Sequence, residues 1–162
     1  MYHMVQRVDT SARSTADPQT IYDLLVDGAT WPTWSPLGSF RLEKPSPEPP
    51  PGASHGRGEG LGAVRVFRTG RTASREEVVD VVPGRRFSYT LLSGLPLRGY
   101  RANVDLTPAG GGTTIHWRSS FTAKVPGTGW IYRWALGRFI QRCVDGLAVH
   151  AATLAGNGSR GQ

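Results

Sequence analysis

Between about residues 60 and 122, apolar and polar side chains alternate with a period of two in the segments VRVFRT, ASREEVVDVV, RRFSYTLL, YRANVDL and TTIHWRSSF. That period marks a strand with one buried face, so the pattern predicts five consecutive strands. Gly70-Arg71, Pro83-Gly84, Ser93 to Pro96 and Pro108 to Gly112 separate them, and these residue types tolerate tight or left-handed backbone. Connections this short make an antiparallel meander and leave no room for parallel crossovers. Farther along, the period changes. Ile131, Ala135, Leu136, Phe139, Ile140, Cys143, Leu147, Ala151 and Leu154 recur at steps of three and four. This predicts one long amphipathic helix with Arg133, Arg138, Arg142, Asp145 and His150 on its polar face, and with Leu147 and Leu154 in the core.

Ahead of the meander, VQRVDTSA alternates as a strand, and Asp17-Pro18 opens a short helix with Ile21, Leu24 and Leu25 on one side. A second helical turn holds Trp31 and Trp34, and GSFRLE makes a further strand. KPSPEPPPGASHGRGEG is too rich in proline and glycine to pack, so residues 45–60 are expected to form a mobile loop. GNGSRGQ, residues 156–162, is expected to be a flexible tail. The resulting order is strand, two short helices, six strands, long helix. A single α+β domain over residues 1–155 satisfies it, with a seven-stranded antiparallel sheet covered on one face by the long helix.

Composition narrows the classes. A chain of 162 residues suits one domain with one core. Cys143 is the only cysteine, so there is no internal disulfide. No apolar run approaches the roughly 18 residues that span a membrane, and MYHMVQRVDTSARS lacks the apolar stretch of a signal peptide. The expected location is the cytoplasm. The net charge of +7 comes from 17 arginines and two lysines, Lys44 and Lys124, scattered along the chain. Scattered arginine is a weak sign of nucleic-acid binding and none is expected, while transient contact with an anionic membrane stays open. Both a monomer and a homodimer are compatible with this sequence.

The element order, the tryptophan-bearing second helix, the strands in GAVRVFRTGR and REEVVDVVPGRRFSY, then GTTIHWRSSF and the long terminal helix together resemble the SRPBCC superfamily. That superfamily includes START-like lipid carriers, polyketide cyclases and the birch-pollen-allergen fold. The resemblance runs from about Val5 to Leu154. It implies a helix-grip fold, in which a curved sheet and the long helix enclose a deep, mostly apolar cavity for lipids, polyketides or hormones. Many members bind such ligands without reacting with them.

The first hairpin of the meander can be paired from sequence. Gly70-Arg71 suits a two-residue turn with glycine first, so Thr69 faces Thr72 and Arg65 falls opposite Glu76. Ala63, Phe67, Ser74 and Val78 share that face. If it points inward, as related ligand-binding members suggest, Arg65 and Glu76 form a charged pair within the cavity that anchors a polar ligand end. If it points outward, the same pair is a surface bridge worth about 0 to 1 kcal/mol. In the following strands Tyr89, Tyr100, Trp117 and Ser119 fall on the helix-facing side, where they either line a pocket or fill the core. From the helix, Ala135, Phe139 and Cys143 lie on one row that could close the pocket, and Trp34, Trp130 and Trp134 are placed at its opening. Candidate ligand-binding residues are therefore Trp34, Arg65, Phe67, Glu76, Tyr89, Tyr100, Trp117, Ser119, Ala135, Phe139 and Cys143.

Other chemistry finds little support. His3, His55, His116 and His150 are isolated from one another and from Cys143, so neither a metal nor another cofactor is expected. Cys143 sits on the apolar side of the helix, where a thiol behaves as a small hydrophobe. GEGLGA matches the GxGxxA pattern in form but leads into a strand instead of opening a helix. An aromatase, cyclase or dehydratase reading would use Glu76 as base, oriented by Arg65, with Tyr89 or Tyr100 donating to an oxyanion. Against it, an adjacent arginine lowers the proton affinity of a carboxylate. The leading expectation is a carrier of a hydrophobic small molecule with a polar or anionic end. A filled-core interaction module is the third possibility.

Overall fold

In the computed structural model, which describes residues 4–159, the alternation seen in sequence sets the sheet. β1 (Gln6–Ser14) alternates buried and exposed side chains and pairs antiparallel with β7 (Gly112–Ala123), Thr10 opposite Trp117. The chain then crosses to the far edge of the sheet through two short helices. α1 (Pro18–Val26) starts where sequence places it: Pro18 occupies the first turn, and the Asp17 side chain accepts from the Thr20 backbone N–H at 2.9 Å. A 3-10 turn (Gly28–Thr30) leads into α2 (Trp31–Trp34). β2 (Ser39–Lys44) is the far edge strand.

β3 (Val64–Thr69), β4 (Thr72–Val82), β5 (Arg86–Ser93), β6 (Leu97–Ala109) and β7 form the five-stranded meander, giving the order β1-β7-β6-β5-β4-β3-β2. The register of the first hairpin is the one the turn dictates: Thr69 pairs with Thr72 and Arg65 with Glu76, and Gly70 takes a φ of 60°. α3 (Gly129–Ser159) lies across the concave face and buries Ile140, Cys143, Val144, Leu147, Ala148 and Ala151. Gly146 lets the helix approach the end of α2 closely, because a Cβ there would collide with the Trp34 carbonyl oxygen.

Three expectations are corrected. The Pro-rich segment packs despite its composition: Tyr22 Oη donates to the Pro51 carbonyl at 2.7 Å, Gln19 Nε2 donates to the Gly52 carbonyl at 3.0 Å, and Glu59 is buried. The tail does not begin at residue 156, since the helix runs to Ser159; residues 160–162 lie outside the described residues. Leu154 is exposed, unlike Leu147, and Ala155 beside it is the residue that packs against the core. Among the described residues no helix is long and apolar enough to cross a membrane.

Candidate functional site

Between the concave face and the first half of α3 lies a cavity of about 360 Å³. Trp31, Trp117, Tyr89 and Tyr100 form its inner wall, with Trp31 and Trp117 edge to face at a centroid distance of 5.6 Å. The helix contributes Tyr132, Ala135, Leu136, Phe139, Ile140 and Cys143. At the mouth stand Leu37, the hairpin-tip residues Thr69 and Thr72, and Leu91 and Leu95 at the end of β5 and in the loop beyond it. The space is predominantly apolar with a few polar groups, the usual makeup of a small-molecule site. Depressions on the outer sheet face are open and charged, as around Arg86, Asp105, His116 and Arg118.

Of the sequence-derived candidates, Glu76, Tyr89, Tyr100, Trp117, Ala135, Phe139 and Cys143 meet around this cavity. Trp34, Arg65, Phe67 and Ser119 do not line it. Trp34 is buried beside the cavity, edge to face with Trp117, and its Nε1 donates to Thr30 Oγ1 at 3.1 Å. Trp31 takes the lining position instead. A single helical turn has too few residues for periodicity to say which of two tryptophans points inward. Ser119 is buried, and its Oγ makes no hydrogen bond of normal geometry, although Tyr100 lies near enough to feel it. Neither Trp130 nor Trp134 borders the cavity. Both are exposed; Trp130 flanks a separate groove with Met4, Val5 and Val125, and Trp134 stacks against Arg138 at 5.2 Å.

The inward reading of the Arg65–Glu76 face holds, because both side chains are buried, yet the expected direct pair between them does not form. Arg65 bonds elsewhere. Its Nη1 donates to the Leu25 carbonyl at 3.0 Å, at the C-terminal turn of α1, and meets Glu59 Oε1 at 3.5 Å. Free carbonyls at a helix C-terminus attract cations, so this bond serves the helix end and one nitrogen of the guanidinium, while Arg65 Nη2 has no hydrogen-bond partner among the described residues. Trp31, Phe67 and Phe87 surround the guanidinium at 4.7, 5.1 and 5.0 Å. Trp31 therefore stands between Arg65 and the cavity. Phe67 belongs to this cage instead of the cavity wall.

Glu59, which sequence reasoning missed, supplies the countercharge. It also accepts from the Gly28 backbone N–H at 2.8 Å. A single carboxylate between glycines in GRGEGLG was its only signal. Burial raises its proton affinity, with the Arg65 charge and the Gly28 N–H acting the other way.

Glu76 is left facing the cavity. Its Oε2 has no hydrogen-bond partner among the described residues, and neither does the indole Nε1 of Trp117. Burial pushes the Glu76 carboxyl up to about 7, against the opposing pull of Arg65. Desolvation outweighs the neighbouring cation, which makes no hydrogen bond to this carboxyl. The same desolvation drives the Tyr89 and Tyr100 phenols and the Cys143 thiol well above their ordinary values, so all three stay protonated near neutrality.

A curved seven-stranded sheet gripping a long C-terminal helix around an apolar cavity defines a helix-grip protein. The family profile described as "Polyketide cyclase / dehydrase and lipid transport" matches residues 5–152, and the chain belongs to that family, within the START-like SRPBCC superfamily. No curated protein sequence matches it significantly. Solved structures share the fold at low identity. A START superfamily protein from Mycobacterium smegmatis superposes with a TM-score of 0.71 at 13% identity, covering 92% of this chain and 99% of that one. The di-domain ARO/CYC StfQ from the steffimycin biosynthetic pathway gives 0.71 at 17%, covering 95% of this chain and 53% of that one. Major latex-like protein 151 from Panax ginseng gives 0.64 at 13%, covering 91% and 97%.

Proposed function

We propose that the protein binds and carries a hydrophobic small molecule, of lipid or polyketide type, in the cavity beneath α3. The observation that carries this reading is the cavity itself: about 360 Å³ walled by aromatic and aliphatic side chains, where a filled-core interaction module would have packed them against each other. Arg65 does not line this cavity and its Nη1 is engaged by Glu59 and the Leu25 carbonyl, so the reading assigns it no contact with an anionic ligand end. Native mass spectrometry of gently purified protein, followed by organic extraction, tests the reading. A retained apolar molecule is expected; a protein that is empty and also refuses neutral aromatic probes contradicts it.

Ligand transfer would take place at the mouth, where the surface suits an anionic lipid bilayer. Apart from Leu61, Val149 and Leu154, every exposed large hydrophobic side chain among the described residues lies at this end of the molecule, Trp130 and Trp134 among them. Segments 4–8, 66–75, 91–101 and 118–144, which end at or flank the mouth, contain no aspartate or glutamate. They do carry exposed Arg68, Arg71, Arg98, Lys124, Arg133 and Arg138. Tryptophan at the headgroup level with surrounding cations favours binding to negatively charged membranes. Sedimentation should show binding to vesicles containing phosphatidylglycerol and little to pure phosphatidylcholine, with the difference shrinking at high salt.

A second reading has one observation in its favour. A carboxyl held at about 7 in a mostly apolar cavity beside two phenols is suited to general acid–base catalysis, as a cyclase or dehydratase would require. Turnover of a polyketide thioester that Glu76→Gln abolishes while binding survives would establish it.

A further inference from the structure

We propose that the cavity is built for an apolar ligand that brings a hydroxyl group to its inner wall, where Glu76 and Trp117 each hold an unpaired polar atom. The inference rests on the carrier reading above and names the chemistry of its ligand. Both residues line the cavity; Glu76 is 8% exposed and Trp117 0%. Above about pH 7, where its carboxyl is ionised, Glu76 Oε2 is an acceptor without a donor, and Trp117 Nε1 is a donor without an acceptor; Arg65 Nη2 and Ser119 Oγ are also unpaired, but on residues that do not line the cavity. Buried polar groups are rarely left this way, and each unmade bond is costly.

The alternatives can be ranked by what each would satisfy. A ligand carboxylate only accepts: it would leave Glu76 unpaired and set two acidic groups together in a low-dielectric site. An ammonium only donates, and it would bring a second cation toward the buried guanidinium of Arg65, one strand away across the β3–β4 pair. An ether cannot donate to the glutamate. A hydroxyl both donates and accepts, carries no charge, and so can pair with either orphaned atom. The ionisable groups close enough to bear on Glu76 or be affected by it are Arg65 from β3, Tyr89 from β5, Tyr100 from β6 and Cys143 from α3. Of these, only Arg65 is charged near neutral pH.

The test uses one skeleton with three end groups. 2-Naphthol, 2-methoxynaphthalene and 2-naphthoate compete with the neutral fluorophore N-phenyl-1-naphthylamine for the full-length protein at about pH 8, above the Glu76 titration, where the glutamate is ionised and only accepts. 2-Naphthol should bind about tenfold more tightly than either of the others, the factor expected of one buried hydrogen bond. In Glu76→Leu, 2-methoxynaphthalene should close most of that gap, and Trp117→Phe should narrow it less. Equal affinities of 2-naphthol and 2-methoxynaphthalene for the unmodified protein would overturn the inference while leaving the carrier reading intact. A preference for 2-naphthol that survives undiminished in both variants would do the same. If neither the fluorophore nor any naphthalene binds, the carrier reading itself falls and this inference falls with it.

Discussion

Replacing Glu76 by glutamine should remove a pH dependence of stability that burial builds into the fold. The folded protein holds the Glu76 proton up to about pH 7, whereas the unfolded chain releases it near the ordinary glutamate value of 4.5. Between those values the native state binds more protons than the unfolded state, so stability falls as pH rises through that window. Each pH unit of displacement is worth about 1.4 kcal/mol, which makes the loss roughly 3 kcal/mol between about pH 4.5 and pH 7. For a domain of this size that corresponds to a fall in Tm of about 6 to 12 °C. Glu59 is displaced in the same direction and contributes to the slope in both proteins, so the difference between wild type and Glu76→Gln isolates Glu76. Urea unfolding followed by tryptophan fluorescence across this pH range provides the curves. The variant should lose markedly less stability than wild type on going from mildly acidic to mildly basic pH, and should be the more stable protein at the basic end. Parallel profiles would refute the claim that Glu76 is desolvated and lacks a compensating partner.

Arg65→Met should destabilise by about 3 to 5 kcal/mol, because Glu59 and the Leu25 carbonyl lose a buried partner; denaturant unfolding measures this, and adding Glu59→Gln should restore much of it. Gly146→Ala should destabilise by about 2 kcal/mol or more, despite a gain of about 1 kcal/mol in helix propensity, because its methyl group meets the Trp34 carbonyl. A Tm equal to or above that of wild type would show that α2 yields instead. Trp130→Ala with Trp134→Ala should weaken sedimentation with phosphatidylglycerol vesicles several-fold and leave unfolding unchanged within about 0.5 kcal/mol, since both side chains are exposed.

The parts of this structure legible in sequence are those governed by local rules. Alternation and turn residues determine β3 to β7, and the two-residue turn at Gly70-Arg71 alone carries the pairing of Arg65 with Glu76. The row Ala135, Phe139 and Cys143 follows from helical spacing and does reach the cavity. What was not legible depends on parts of the chain distant in sequence. Whether Arg65 pairs with its cross-strand neighbour or with Glu59 depends on the path of the Pro-rich segment, which hydrogen bonds to Tyr22, Gln19 and Gly28 hold against α1 and the turn after it. Composition suggested that this segment cannot pack, yet backbone carbonyls and one carboxylate suffice to seat it. The exchange of Trp34 for Trp31 at the cavity wall has a similar origin, because the orientation of a one-turn helix is set by its packing against α3.

The central claim is that the space beneath α3 takes up a hydrophobic small molecule. Titration of N-phenyl-1-naphthylamine into wild type and Ala135→Trp tests it most directly, since Ala135 lines the cavity yet is exposed, so a larger side chain there can obstruct the cavity without overpacking the core. The account predicts saturable fluorescence enhancement with wild type and a loss of about tenfold or more in affinity with the variant, while unfolding changes by less than about 0.5 kcal/mol. Equal binding to both proteins would place the probe elsewhere, and no binding to either would contradict the account.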